Sequence, residues 1–148
     1  MSTFSMLEIS AAALSAERQR AEVVAANMAN SSTTHTPEGG PYRRKEVVFA
    51  SSKMFPFQLA LNQLSSLPGH GGMPSVRISR VVNDPTPPQM RYEPGHPDAN
   101  PQGYVAYPNI NPIQEMVDLM SATRAYQLNA SAVAASKQML QQALDILR

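Results

Sequence analysis

All 13 prolines and all 7 glycines of this chain fall between Pro37 and Pro112, which leaves two breaker-free ends around a breaker-rich middle. Inside a helix a proline costs about 3 kcal/mol and a glycine about 1 kcal/mol relative to alanine. Nothing of that kind opposes a long helix over residues 1–36 or 113–148.

Periodicity makes the positive case. Alternating steps of three and four residues from Phe4 give Phe4, Leu7, Ala11, Leu14, Arg18, Ala21, Ala25 and Met28, a heptad seam broken only by Arg18. Ser5 and Glu8 fit a capping box at its start, and Asn30, Ser31, Ser32, Thr33 and Thr34 compete for backbone hydrogen bonds at its end. The same steps from Met116 give Met116, Leu119, Thr123, Tyr126, Ala130, Val133, Lys137, Leu140, Leu144 and Leu147. Asn111 suits the N-cap, Pro112 the first helical position, and Gln114 can reach back to the cap. This second helix is expected to run from Pro112 almost to Arg148, roughly 50 Å at the usual rise.

Between the ends, Tyr42 to Ala50 favours a strand, and Val76, Ile78, Arg80 and Val82 alternate as one strand face does. Met90 to Glu93 and Tyr104 to Tyr107 are shorter strand candidates. Phe57, Ala60, Leu61 and Leu64 have helical spacing ahead of a loop from Leu67 to Pro74. The expected fold is α+β and mainly α, with long N- and C-terminal helices pairing as a coiled-coil-like bundle and a small irregular β-rich middle. The boundaries read as 1–30 for the first helix, 31–111 for the middle and 112–148 for the second helix.

A formal net charge of +1 argues against a dedicated nucleic-acid binder, and the absence of cysteine removes disulfides, thiol catalysis and cysteine-ligated metals. Glu8, Glu17, Arg18 and Arg20 interrupt the longest apolar candidate, so a membrane span is not expected. The first sixteen residues hold Glu8 and no Lys or Arg, unlike a cleavable secretory signal.

Chemistry-bearing constellations are sparse. His35 with Glu38, His70 within Gly69–Gly72, and His96 beside Asp98 lack the helical spacing of a zinc motif. The Gly69–Gly72 stretch lacks the Lys-Ser/Thr of a phosphate loop. Tyr42, Arg43, Arg44 and Lys45 read as the solvated opening of a strand. Glu115 and Asp118 lie off the seam, where solvent exposure or a surface ion pair is the expectation rather than acid/base catalysis. No nucleophile, base and orienter set emerges.

Apolar residues also spread beyond the seams, from Ile9, Ala12, Ala13, Val23, Val24 and Ala26 to Val117, Met120, Leu128, Met139 and Ile146. A single helix pair buries one stripe of each helix, so the excess points to helices that pack against other subunits. A membrane-surface role would call for a basic polar face, whereas the first helix carries Glu8, Glu17 and Glu22 beside only two arginines.

Two terminal motifs now carry a resemblance. Asn27-Met28-Ala29-Asn30, with Thr33-Thr34 and Tyr42-Arg43-Arg44, is similar to the N-terminal signature of the flagellar rod and hook axial protein family. Asn111 to Met120, continuing through Arg124-Ala125-Tyr126-Gln127 and Asn129, is similar to its C-terminal signature. The ends alone fit any rod or hook axial protein. Thr36 to Lys45, Asp84-Pro85 with Pro87-Pro88, Tyr92 to Ala99 and Gly103 to Asn111 resemble the proximal-rod branch.

The resemblance implies a non-enzymatic structural subunit of the bacterial flagellar basal body, without cofactor, exported by the flagellar type III apparatus and assembled as rod within the periplasm. It implies neighbours among FlgB, FlgF, FlgG and FliE, self-association in a helical tube, no nucleic-acid partner and no membrane insertion. The terminal helices would form the rod core around the export channel. Candidate assembly residues are Leu7, Leu14, Ala21, Ala25, Asn27, Met28 and Asn30 in the first helix region. The second helix contributes Met116, Leu119, Tyr126, Val133, Leu140, Leu144 and Leu147. Tyr42, Arg43 and Arg44 are the candidate contacts of the middle.

Overall fold

A computed structural model of the chain describes residues 3–51 and 75–146. The element order is α1 (Thr3–Ala29), β1 (Lys45–Ser51), β2 (Val76–Asn83), β3 (Gln89–Tyr92), β4 (Tyr104–Tyr107) and α2 (Pro112–Ile146), an α+β arrangement dominated by its two helices. The expected helix at Phe57 to Leu64, the Leu67–Pro74 loop, His70 and Leu147 lie outside the described residues.

α1 already runs at Thr3, so Ser5 sits within the helix rather than at its cap. Its C-terminus is closed as the polar run suggested. Asn30 donates from both its backbone N and its Nδ2 to the Ala26 carbonyl (3.0 and 2.8 Å), and Ser31 Oγ donates to the Met28 carbonyl (2.8 Å). These bonds satisfy carbonyls that the helix itself leaves open. α2 begins at Pro112, with Asn111 Oδ1 accepting the Ile113 amide at 3.0 Å and the Asn111 carbonyl accepting the Glu115 amide at 3.1 Å.

The helices pack against each other in antiparallel fashion: Asn27 meets Glu115 at one end, and Ser136 Oγ donates to Met6 Sδ (3.3 Å) at the other. Their facing stripes are not the apolar seams. In α1 the inward positions are Ser10, Ala13, Glu17, Arg20, Val24 and Asn27; in α2 they are Glu115, Asp118, Ala122, Ala125, Asn129, Ala132 and Ser136, all buried or half-buried. Both runs keep heptad spacing, and both sit one residue ahead of the corresponding seam. A one-residue offset turns a helix face by about 100°. The pair is therefore centred on small and polar side chains, with the seam leucines Leu7, Leu14, Leu119 and Leu140 half-buried beside them and much of the apolar surface of α2 left outward.

Ala122 has no exposed surface, so enlarging it tests this close approach. Ala122→Leu should overpack the contact and lower stability by about 1–3 kcal/mol in chemical denaturation. A neutral result would mean that the helices have room between them there.

β1 and β2 form an antiparallel pair running from Lys45 opposite Asn83 to Ser51 opposite Val76. Val48 faces Arg80 while Phe49 faces Ile78, which leaves Ser79 unpaired as a bulge. This ribbon packs against α1. β3 and β4 form a second antiparallel pair, Gln89 opposite Tyr107 through Tyr92 opposite Tyr104. The loop between them turns on Gly103, at φ +79°, where a Cβ would fall 2.8 Å from Tyr92 Cε2. Both the backbone angle and the aromatic neighbour demand glycine there. Asn100 Oδ1 accepts from the amides of Gln102 and Tyr104 (3.0 and 2.9 Å), and Thr34 Oγ1 donates to Asp98 Oδ2 (2.7 Å), tying this loop to the segment after α1. Val105 within β4 and Ile110 between β4 and α2 are buried apolar side chains.

Candidate assembly site

Three segments far apart in sequence converge where α1 ends, β1 starts and α2 begins. Asn27, 1% exposed, uses its whole amide. Nδ2 donates to the Lys45 carbonyl (2.8 Å) and to Glu115 Oε2 (3.1 Å), while Oδ1 accepts the Lys45 amide (2.9 Å) and the Tyr42 hydroxyl (3.1 Å). The side chain thus pairs with both backbone groups of Lys45 as a neighbouring strand would. An aspartate lacks the donors for this role.

Glu115, also 1% exposed, accepts from Arg44 Nε at Oε1 (2.6 Å) and from Asn27 at Oε2. Arg44 bonds Glu46 as well, and its guanidinium lies 3.9 Å from Asp118, which in turn lies 3.6 Å from Arg20. Burial works to lower the Arg44 pKa. The bond to Glu115, the charge of Glu115 and then Glu46 outweigh it and hold the pKa above its ordinary value. Burial first, then the charge of Glu115, pushes the Tyr42 phenol up, so it stays protonated as the donor to Asn27. A carboxylate with both oxygens engaged inside such a cluster is a fastener between elements, not a reacting group.

This cluster corrects the expectation of solvation for Glu115, Asp118 and Arg44 and gives Asn27 internal partners. Glu115 and Asp118 are buried and half-buried partners of an internal network, not a solvated pair. Asn27, a candidate assembly residue, spends these hydrogen bonds within the chain. Arg44 turns inward to Glu115, leaving exposed Arg43 as the outward arginine of its motif. The one sequence trace of this stripe is that its polar residues are interspersed with alanine at heptad spacing, from Ser10 to Asn27 and from Glu115 to Ser136.

The other candidate assembly residues of the helix regions divide. Leu7, Leu14, Ala21, Asn30, Leu119, Val133 and Leu140 are half-buried, whereas Ala25, Met28, Met116, Tyr126 and Leu144 are exposed. On the side of α2 turned from α1, Ile113, Met116, Val117 and Met120 form an exposed apolar patch with spacings of three and four. Ile113 belongs to that patch although its periodicity alone does not single it out. Among the described residues, no group of three His, Asp or Glu is placed to hold a metal, and no helix is long and apolar enough to cross a membrane.

The converging segments are also those matched in known proteins. A family model described as flagella basal body rod protein matches residues 7–34, and one described as flagellar basal body rod FlgEFG protein C-terminal matches residues 102–146. Flagellar basal-body rod protein FlgC of Bacillus subtilis is 43% identical over 99% of this chain and 99% of its own length. FlgC of Borreliella burgdorferi is 38% identical over 100% of this chain and 99% of its own. FlgC of Yersinia enterocolitica is 36% identical, covering 99% and 98%.

Proposed function

Because this chain belongs to the FlgC family of flagellar basal-body rod proteins, and so is a structural subunit of the rod, we propose that it polymerises through its terminal helices into the proximal rod. There it forms part of the torque-transmitting shaft and of the channel wall. The observation that carries this reading is the division of labour on the helices: small and polar stripes hold the pair together, and broad apolar surface of α2 stays outside. Exposed apolar area of that extent is normally an interaction surface. Heterologous contacts that do not close into a ring generate a helical tube, and helices threaded among several neighbours resist shear better than one small patch between domains.

In this reading residues 1–30 and 112–148 are the rod core, paired in the coiled-coil manner, and residues 31–111 wedge between subunits. The outward seam residues, with Arg43 and the patch around Ile113, are the contact set. Neighbours are further copies and FlgB, FlgF, FlgG and FliE. The chain reaches its place in the periplasm through the flagellar type III apparatus without a cleaved signal peptide, and it carries out no catalysis.

A strain lacking the chain should build no complete rods and should regain them on complementation. A cryo-EM map of the basal body should then show α1 and α2 lining the inner layer. Complete rods without the chain, or helices facing outward from the tube, would refute the proposal.

A further inference from the structure

Methionine is distributed unlike the other large apolar residues here. The buried apolar side chains are Ala16, Val24, Val105, Ile110 and Ala122, while every methionine whose side chain is described is exposed: Met6, Met28, Met90, Met116, Met120 and Met139. Met116 and Met120 lie one helical turn apart, 57% and 48% exposed, in the outward patch with Ile113 and Val117. The chain has no cysteine, so thioethers are its only sulfur targets for an oxidant.

A solvent-exposed thioether reacts with a hydroperoxide without help from neighbouring groups. The sulfur lone pair attacks one peroxide oxygen and the O–O bond breaks. Sulfur keeps that oxygen as a sulfoxide, oxidised by two electrons. The other oxygen takes the proton of the attacked hydroxyl and leaves as water from hydrogen peroxide or as an alcohol from an organic hydroperoxide. In the reversal two thiols become a disulfide and the sulfoxide oxygen leaves as water. The product is polar and accepts hydrogen bonds, yet Ile113 and Val117 offer it no side-chain donor. Burying it against another apolar helix therefore leaves an unpartnered oxygen.

We propose that Met116 and Met120 are a reversible oxidation site that controls subunit joining: hydroperoxide converts them to sulfoxides in the free chain and stops incorporation, and thiol-dependent sulfoxide reduction restores it. The proposal rests on the outward face of α2 being a joining surface. A subunit already in the rod is shielded by the same contacts, so the control acts on rod growth and spares finished rods.

The test has two arms. Purified full-length chain treated with hydrogen peroxide is mapped by peptide mass spectrometry, with circular dichroism to follow the fold; sulfoxide at Met116 and Met120 with helix content retained is expected. In a strain lacking the chromosomal copy, native chain and Met116→Leu/Met120→Leu are compared after a peroxide pulse during rod growth. Complete rods from the native chain should fall about tenfold, the order set by one unpaired buried polar group, with the variant unaffected. Deleting the sulfoxide reductases should deepen the native loss, a readout that stands even if the double variant assembles poorly. Unmodified Met116 and Met120, equal losses in both chains, or indifference to the reductases would overturn the proposal. A native chain that builds no rods without peroxide would instead overturn the joining-surface reading.

Discussion

Glu115→Ala is expected to lower the unfolding free energy by about 3 kcal/mol, the lower end of the range for removing one member of a buried ion pair. The lower end applies because Arg44 keeps 23% of its side-chain surface in water and can recover some hydration. The variant strands the Arg44 guanidinium and takes away one of the two acceptors of Asn27 Nδ2. For a chain of this length the melting temperature should fall by roughly 6–12 °C. Glu115→Gln keeps an oxygen for one donor but no charge for Arg44, so a smaller loss is expected. Thermal and urea unfolding of the three proteins measure this, and a double-mutant cycle with Arg44→Met isolates the pair. A loss under 1 kcal/mol in Glu115→Ala would show that the cluster is dispensable to the fold.

Leu144→Asp should do the opposite, leaving the isolated fold intact while abolishing assembly. Leu144 is 67% exposed, and substitutions at such positions usually change stability by no more than about 0.5 kcal/mol. Under the proposed assembly, a leucine kept outward so near the end of a helix, where chains ordinarily fray, serves a contact made with another subunit. Burying an unpaired carboxylate in that contact is strongly unfavourable, and the lost leucine adds roughly 2–5 kcal/mol by comparison with core truncations. Swimming should cease and complete basal-body rods should disappear, with the variant still detected outside the cytoplasm. Normal rods carrying the aspartate would mean that the last turns of α2 meet nothing.

The helices were legible in the sequence because their signals are local. Breakers end where the helices begin, Asn111 and Pro112 mark one start, and the Asn30 to Thr34 run marks the other end. Strand candidates at Val76 to Val82 and Tyr104 to Tyr107 are found in β2 and β4 for the same reason. The register of the helix pair was not legible. Hydrophobic periodicity selects the stripe with the largest apolar side chains, and in this chain that stripe is one residue away from the one the monomer closes on. Glu115 was misplaced because a carboxylate on a helix is ordinarily solvated, and its partners come from 71 and 88 residues earlier. Motif resemblance put Asn27, Tyr42, Arg44 and Glu115 in the right neighbourhoods without saying that they touch.

Those separations have a consequence for timing. As the chain emerges from its N-terminus, α1 lacks its partner helix until Glu115 and the residues beyond it have followed, and contacts so distant in sequence are slow to close. Until then Arg20 lacks Asp118, Asn27 lacks Glu115, and α1 has only the β1–β2 ribbon to pack on. Such a chain keeps its first helix without its helical partner for most of its synthesis. It takes its final shape only when its last quarter arrives, so the first helix made is among the last to be secured.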